Sequence, residues 1–108
     1  MMQRPAAVLF ASLALGALAA DPQEFKLVIE NHKFTPDRVE IPAGQKVRFI
    51  IENKDATPEE FDSSDLRIEK VIPGKATAPV YVGPLKAGEY KFMGEYHEAT
   101  ARGVVVAK

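Results

Sequence analysis

From Phe25 onward, short segments with alternating apolar and charged positions are separated by Pro and Gly, a pattern typical of an all-β domain. The clearest segment covers residues 46–52, where Val47, Phe49 and Ile51 share one face because side chains alternate along a strand. No segment shows the sustained apolar spacing of a helix, so we expect little helix. Further strands are predicted over residues 25–31, 38–41, 66–71, 78–82, 89–92 and 103–106.

Turn signals separate these strands. Pro42-Ala43-Gly44 and Pro73-Gly74 both suit β-turns, since Pro fixes φ and Gly accepts the backbone angles that a turn requires. Residues 53–65 are rich in Asp, Glu, Ser and Pro and are predicted as a polar loop with at most one turn of helix. The spacing predicts about seven or eight strands, folded as a sandwich of two sheets.

The N-terminal segment, residues 1–20, has the pattern of a secretory signal peptide. Arg4 precedes an apolar run, and Ala17-Leu18-Ala19 supplies small residues for cleavage near Ala19 or Ala20. The run of roughly 15 residues is shorter than the ~20 needed to span a bilayer. We therefore expect a periplasmic protein whose mature domain, residues 21–108, is not inserted in a membrane.

The amino-acid composition excludes some kinds of site and argues against one class of partner. The chain has no Cys, which excludes a disulfide framework and any thiolate ligand. Its formal net charge is −1 at pH 7, which argues against nucleic acid as a partner.

The order of several short motifs resembles the cupredoxins, the family with the blue-copper fold. This resemblance implies a Greek-key β-sandwich with a metal site at one end. The matching motifs are Phe34-Thr35-Pro36, Val39-Glu40-Ile41-Pro42-Ala43-Gly44, Val47-Arg48-Phe49, Asn53-Lys54-Asp55, Gly88-Glu89-Tyr90 and Gly103-Val104-Val105-Val106.

The resemblance also shows which blue-copper ligands are missing. Residues 59–61 stand where the family has its first His, and Gly94 stands where it has its Cys. His97 falls on the second His position, and the axial Met position falls near Ala101 or Arg102. A blue-copper centre needs the Cys thiolate, so this chain cannot form one.

In the polar loop over residues 53–65 and in the loop between the last two predicted strands, the chain is similar to a cupredoxin-like subgroup associated with bacterial ferrous-iron uptake. The matching stretches are residues 57–61, 65–67, 69–71 and 92–97. The resemblance implies a copper or iron ion as cofactor, and an iron permease or a periplasmic iron-binding protein as partner. The metal ligands it implies, with neighbours that could add to them, are Glu60, Glu95, His97, Glu98 and Met93.

Plainer interpretations stay open. Met93 could pack rather than bind, and the loop acids and His97 could be ordinary surface residues. A metal-free sandwich that docks on a membrane or periplasmic partner is the alternative function, and copper storage through Met93 and His97 is a third. No catalytic residues are assigned, because no nucleophile stands with a base, and any catalysis would be metal-centred oxidation of Fe(II). His32 is predicted to be a surface residue.

Overall fold

The computed structural model describes residues 21–108, and the predicted signal peptide over residues 1–20 lies outside them. This part of the chain contains nine strands and one 3-10 helix, Glu95–His97. Among these residues, no helix is long and apolar enough to cross a membrane. The strands are β1 (Gln23–Glu30), β2 (Lys33–Thr35), β3 (Arg38–Ile41), β4 (Val47–Asn53), β5 (Glu59–Ser63), β6 (Ile68–Ile72), β7 (Thr77–Val82), β8 (Gly88–Gly94) and β9 (Arg102–Ala107).

The strands form two sheets that face each other. One sheet has the order β2-β1-β4-β7 and the other has the order β3-β9-β8-β5-β6. β1 is parallel to β4 and β3 is parallel to β9, whereas the other pairs are antiparallel. The predicted all-β sandwich is confirmed, with one strand more than the upper end of the predicted count.

The core lies between the sheets and is rich in aromatic rings. Phe61 stacks against Phe92 with ring centroids 4.9 Å apart, and Phe34 meets Phe92 edge-on at 5.0 Å. Phe49 of β4 is fully buried and contacts Phe61 edge-on. Such offset and edge-to-face pairs are the arrangements that aromatic rings favour, so this cluster holds the two sheets together.

The prediction of a polar loop over residues 53–65 was wrong, because β5 lies within it. Glu59, Phe61 and Ser63 point inward from β5, and only one of these three is apolar. The sequence therefore lacks the alternation of apolar and polar residues that marks a half-buried strand. β5 forms because it lies between β6 and β8 and pairs with both.

Three connections meet at one end of the sandwich. β1 and β4 run in parallel and in register, so they end together, with Ile29 opposite Asn53. β8 ends at Gly94, opposite Phe61 near the start of β5. The turn between β1 and β2, the loop before β5 and the 3-10 helix after β8 therefore converge at this end.

Candidate metal centre

Glu59 carries a buried carboxylate at this end of the sandwich, with 1% of the residue exposed. Its Oε1 accepts hydrogen bonds from the backbone N–H groups of Glu60 and Tyr96, both at 3.0 Å. Its Oε2 lies 2.6 Å from Nδ1 of His97. A carboxylate can only accept, so Nδ1 carries the hydrogen. Three donors thus compensate the removal of this acid from water.

The loop before β5 is held in place by Asn53, which is buried. The Asn53 Nδ2 donates to the carbonyl of Ile72 at 3.1 Å, and its Oδ1 accepts from the N–H of Asp55 at 3.0 Å. Gly74 lets the loop approach closely, since a Cβ there would lie 2.0 Å from the carbonyl oxygen of Ala56. These contacts fix where β5 begins, and so where the Glu59 side chain points.

Gly94 occupies the position at which the resemblance places a Cys. A Cβ built on Gly94 would lie 2.5 Å from Cδ of Glu59 and 2.7 Å from Cβ of Ala101. The Glu59 carboxylate therefore takes up the space into which a side chain at this position would project. With no thiolate in the chain and this space filled, the residues do not fit a blue-copper centre.

His97 ends the 3-10 helix and is half-buried. Its carbonyl accepts a hydrogen bond from the N–H of Ala101 at 2.9 Å, which closes the loop towards β9. Its ring stacks on the ring of His32, with centroids 3.5 Å apart and planes 11° from parallel. The imidazole is thus held by Glu59 at its edge and by His32 on its face.

His32 lies in the two-residue turn between β1 and β2, where Asn31 and His32 both have positive φ, 55° and 60°. The Asp55 carboxylate accepts from both backbone N–H groups, at 2.9 and 3.0 Å. The two N–H groups keep the pKa of Asp55 below its ordinary value, and the hydrogen bond from His32 has the largest effect. Thr100 Oγ1 donates to the His32 carbonyl at 2.6 Å. His32 is half-buried, so the prediction of a plain surface residue did not anticipate this contact.

Glu60 points to the outer face of β5, away from Glu59. Its neighbour there is Glu95, and a hydrogen bond with Glu95 is the main reason that the pKa of Glu60 is raised to about 7. Burial and the charges of Glu95, Glu69 and Asp62 add to the rise. Oε1 of Glu60 is buried, and no donor among the described residues reaches it. Two ionised carboxylates cannot hydrogen-bond each other, so a bond between this pair requires a shared proton.

Met93 and Glu98, the other two predicted ligands, lie apart from the buried glutamate. Met93 is half-buried on the outer side of β8, where it borders a hollow of about 230 Å³ with Asp62 and Arg102. Glu98 is exposed, and its backbone carbonyl, rather than its carboxylate, accepts from Nε of Arg102 at 2.7 Å.

The structure thus divides the predicted ligands into two groups. Glu60 and Glu95 form one pair on the outer face, whereas His97 joins Glu59, a residue outside the predicted set. Met93 and Glu98 belong to neither group. Within residues 21–108, no three His, Cys, Asp or Glu side chains stand together as a ready-made metal site. One signal in the sequence did point to Glu59: Phe61 is apolar and two residues later, and positions two apart on a strand share a face.

Comparison with known proteins identifies the family. A profile describing a cupredoxin-like domain matches residues 4–107. The uncharacterized protein RP394 of Rickettsia prowazekii (strain Madrid E) is 42% identical over 83 residues, which are 77% of this chain. The chain spans 66% of the length of that relative.

Solved structures with the same fold include copper proteins. Auracyanin A, a blue copper protein from Chloroflexus aurantiacus, superposes with a TM-score of 0.69 at 15% identity, over 82% of this chain and 100% of that one. The metal-binding domain of the Cu(I)-exporting P-type ATPase CopA from Streptococcus pneumoniae D39 gives 0.67 at 11% identity, over 79% of this chain and 84% of that one. The fold is therefore related to that of copper-binding proteins.

Proposed function

The chain belongs to the cupredoxin-like domain family, and from this membership we propose that it binds an iron or copper ion where Glu59 meets His97. We propose further that it works in the periplasm and assists iron uptake. In this role it holds the ion and passes it to an iron permease or to an iron-binding protein.

The observation that carries the proposal is the contact between Glu59 and His97. Oε2 and Nδ1 lie 2.6 Å apart and share one hydrogen. A metal ion that replaces this hydrogen would meet a carboxylate oxygen and an imidazole nitrogen, once the two atoms move far enough apart to admit it. Metal ions compete with protons for such groups, because carboxylate and imidazole bind in their deprotonated forms.

The chemistry of these donors supports iron or Cu(II) over Cu(I). Carboxylate oxygen is a hard ligand and imidazole suits Fe, Cu and Zn, whereas Cu(I) favours thiolate and thioether sulfur. Glu59 takes up the space beside Gly94, where the cupredoxin pattern has its thiolate. The substitution of oxygen for sulfur at this end of the fold supports a role in handling a harder ion.

The surface beside the site supports a partner. Tyr96 precedes His97, and 49% of it is exposed. Aromatic residues are enriched at protein interfaces, where one side chain supplies both apolar area and a hydrogen-bonding group. A permease or binding protein docked here would meet the ion directly, and the resemblance of the two loops to iron-uptake proteins agrees with this role.

The proposal is tested by titrating purified metal-free protein with Cu(II), Mn(II) and anaerobic Fe(II) in a calorimeter. We expect saturation at one ion per chain and at least about tenfold weaker binding, about 1.4 kcal/mol, in His97→Ala. Oxidation is tested by admitting dioxygen to the Fe(II)-loaded samples afterwards and following the formation of Fe(III). Each Fe(II) loses one electron, and dioxygen accepts it.

Glu60→Gln and Glu95→Gln are the matched controls, since they remove carboxylates only one or two residues from Glu59 and His97. If these variants lose the ion and His97→Ala keeps it, the outer pair is the site and our assignment is wrong. Binding no tighter than about millimolar in the wild-type chain would refute metal binding by this protein alone.

The same contacts favour a second candidate, a metal-free module that docks on a membrane or periplasmic protein. Two backbone N–H groups and the His97 ring donate to Glu59, and such donors are enough to satisfy a purely structural buried carboxylate. Under this alternative Tyr96→Ala weakens partner binding, whereas His97→Ala leaves the affinity of folded protein unchanged.

A further inference from the structure

The two histidines of this chain are in direct contact although 65 positions separate them. Their rings stack with centroids 3.5 Å apart. His97 comes from the loop after β8 and His32 from the turn between β1 and β2, on the opposite sheet. Because the chain has only two histidines, this pairing collects all of its imidazoles beside its most deeply buried carboxylate.

The turn that carries His32 is held on both sides. Asp55 accepts from its N–H at 3.0 Å, and Thr100 donates to its carbonyl at 2.6 Å. His32 is the second residue of a two-residue hairpin turn with φ of 60°, a position where Gly is usual. His is among the residues that adopt positive φ most readily, so it can occupy this turn position and still place an imidazole against His97.

We propose that His32 is a third metal ligand, so that the site consists of the Glu59 carboxylate and the imidazoles of His97 and His32. This inference rests on the proposed function, since it assigns a further ligand to the same site. Two histidines and one carboxylate with open positions form the ligand set of non-haem Fe(II) sites. The class of ion is therefore a divalent metal such as Fe(II), Mn(II) or Cu(II).

In the stacked arrangement the two imidazoles do not point at a common position. Ring nitrogens direct their lone pairs within the ring plane, and the two planes are only 11° from parallel. They cannot converge on one ion until one ring turns. His32 is half-buried on a turn, so its ring can rotate about the side-chain bonds while Asp55 and Thr100 keep the backbone in place.

Two substitutions separate a ligand from a packing residue. His32→Phe keeps a flat ring to stack on His97 but removes both nitrogens. His32→Asn removes the ring and keeps a residue that tolerates positive φ. Lys33→Ala, at an exposed neighbouring position, is the surface control. Thermal unfolding of each metal-free protein confirms that it is folded before binding is measured.

The experiment loads the purified chain with one equivalent of Cu(II) and counts bound imidazoles by electron spin-echo envelope modulation. We expect two imidazoles in the wild type and in Lys33→Ala, and one in His32→Phe. Calorimetric affinity should fall at least about tenfold in His32→Phe, since even a residue that only supports a ligand is worth about 10–100-fold.

Three results would overturn the inference, and they differ in what they say of the proposed function. If His32→Phe matches the wild type in affinity and imidazole count while His97→Phe loses the ion, the site stands without His32. If His32→Asn alone loses affinity, His32 acts only by stacking on His97. If the wild-type chain binds neither Cu(II), Mn(II) nor Fe(II), this inference and the proposed metal site both fail.

Discussion

Glu59 and Glu60 are neighbours in the chain and identical in chemistry, yet their carboxylates lie on opposite faces of β5. Glu59 is buried and receives hydrogen bonds from two backbone N–H groups and from His97. Glu60 is half-buried and faces a second carboxyl group, that of Glu95. Three donors suit an acceptor-only carboxylate, whereas a like charge favours a shared proton.

This comparison shows that the surroundings of an acid, rather than its residue type, decide its role. At the inner position, two backbone N–H groups and the adjacent imidazole supply hydrogen bonds to the Glu59 carboxylate. At the outer position, the pair of acids favours the protonated form and gains nothing from ionisation. The two positions should therefore respond differently to substitution and to pH.

The largest expected effect is that of Glu59→Ala on folding. The change leaves the N–H groups of Glu60 and Tyr96 and the ring of His97 without their acceptor, and opens a cavity beside Gly94. We expect a loss of about 2–4 kcal/mol in the free energy of unfolding, measured in urea. Glu60→Ala is the control and should cost much less. Equal losses in both variants would contradict the contrast between the two faces.

Gly94→Ala should have the next largest effect, because the new methyl group would meet the Glu59 carboxyl group and Ala101. Overpacking of this kind costs about 1–3 kcal/mol. In a Glu59→Ala background the cost should shrink, since only the contact with Ala101 remains. A double-mutant cycle followed by urea unfolding measures this coupling. Additive effects would show that the Glu59 carboxyl group does not fill the space beside Gly94.

The smallest expected effect is the pH dependence of stability that comes from Glu60, beside Glu95 on the outer face. The pKa of Glu60 is raised from 4.5 to about 7 in the folded protein, so folding favours its protonated form. Its contribution to stability is therefore present below pH 4.5 and is lost as the pH rises through about 7. In the Glu60→Gln variant the side chain cannot ionise, so this loss of stability with rising pH should disappear.

Thermal unfolding of the wild type and of Glu60→Gln from pH 4 to pH 8 tests this prediction. The variant should gain stability relative to the wild type as the pH rises. Glu95→Gln should behave in the same way, since it removes the other member of the pair. Parallel pH profiles for the wild type and both variants would show that the two carboxyl groups do not share a proton.

The two faces of β5 also show how much of the site can be predicted from the sequence. The strand pattern, the absence of Cys and the motif order predicted the sandwich and excluded a blue-copper centre. His97 was selected from its position in the last loop. The resemblance implied Glu60 rather than Glu59, and the loop predicted over residues 53–65 has no strand register that would place Glu59 on the same face as Phe61.

The features that can be inferred from the sequence alone are local: which segments extend, where they turn and which donor atoms exist. Hydrophobic alternation and turn residues act over a few positions, so they can be recognised along the chain. The packing of the two sheets brings the turn after β1 against the loop after β8, which stacks His32 on His97. The same packing buries Glu59 and leaves the adjacent Glu60 on the outer face. Contacts between distant segments depend on how the two sheets pack, and no local pattern records that.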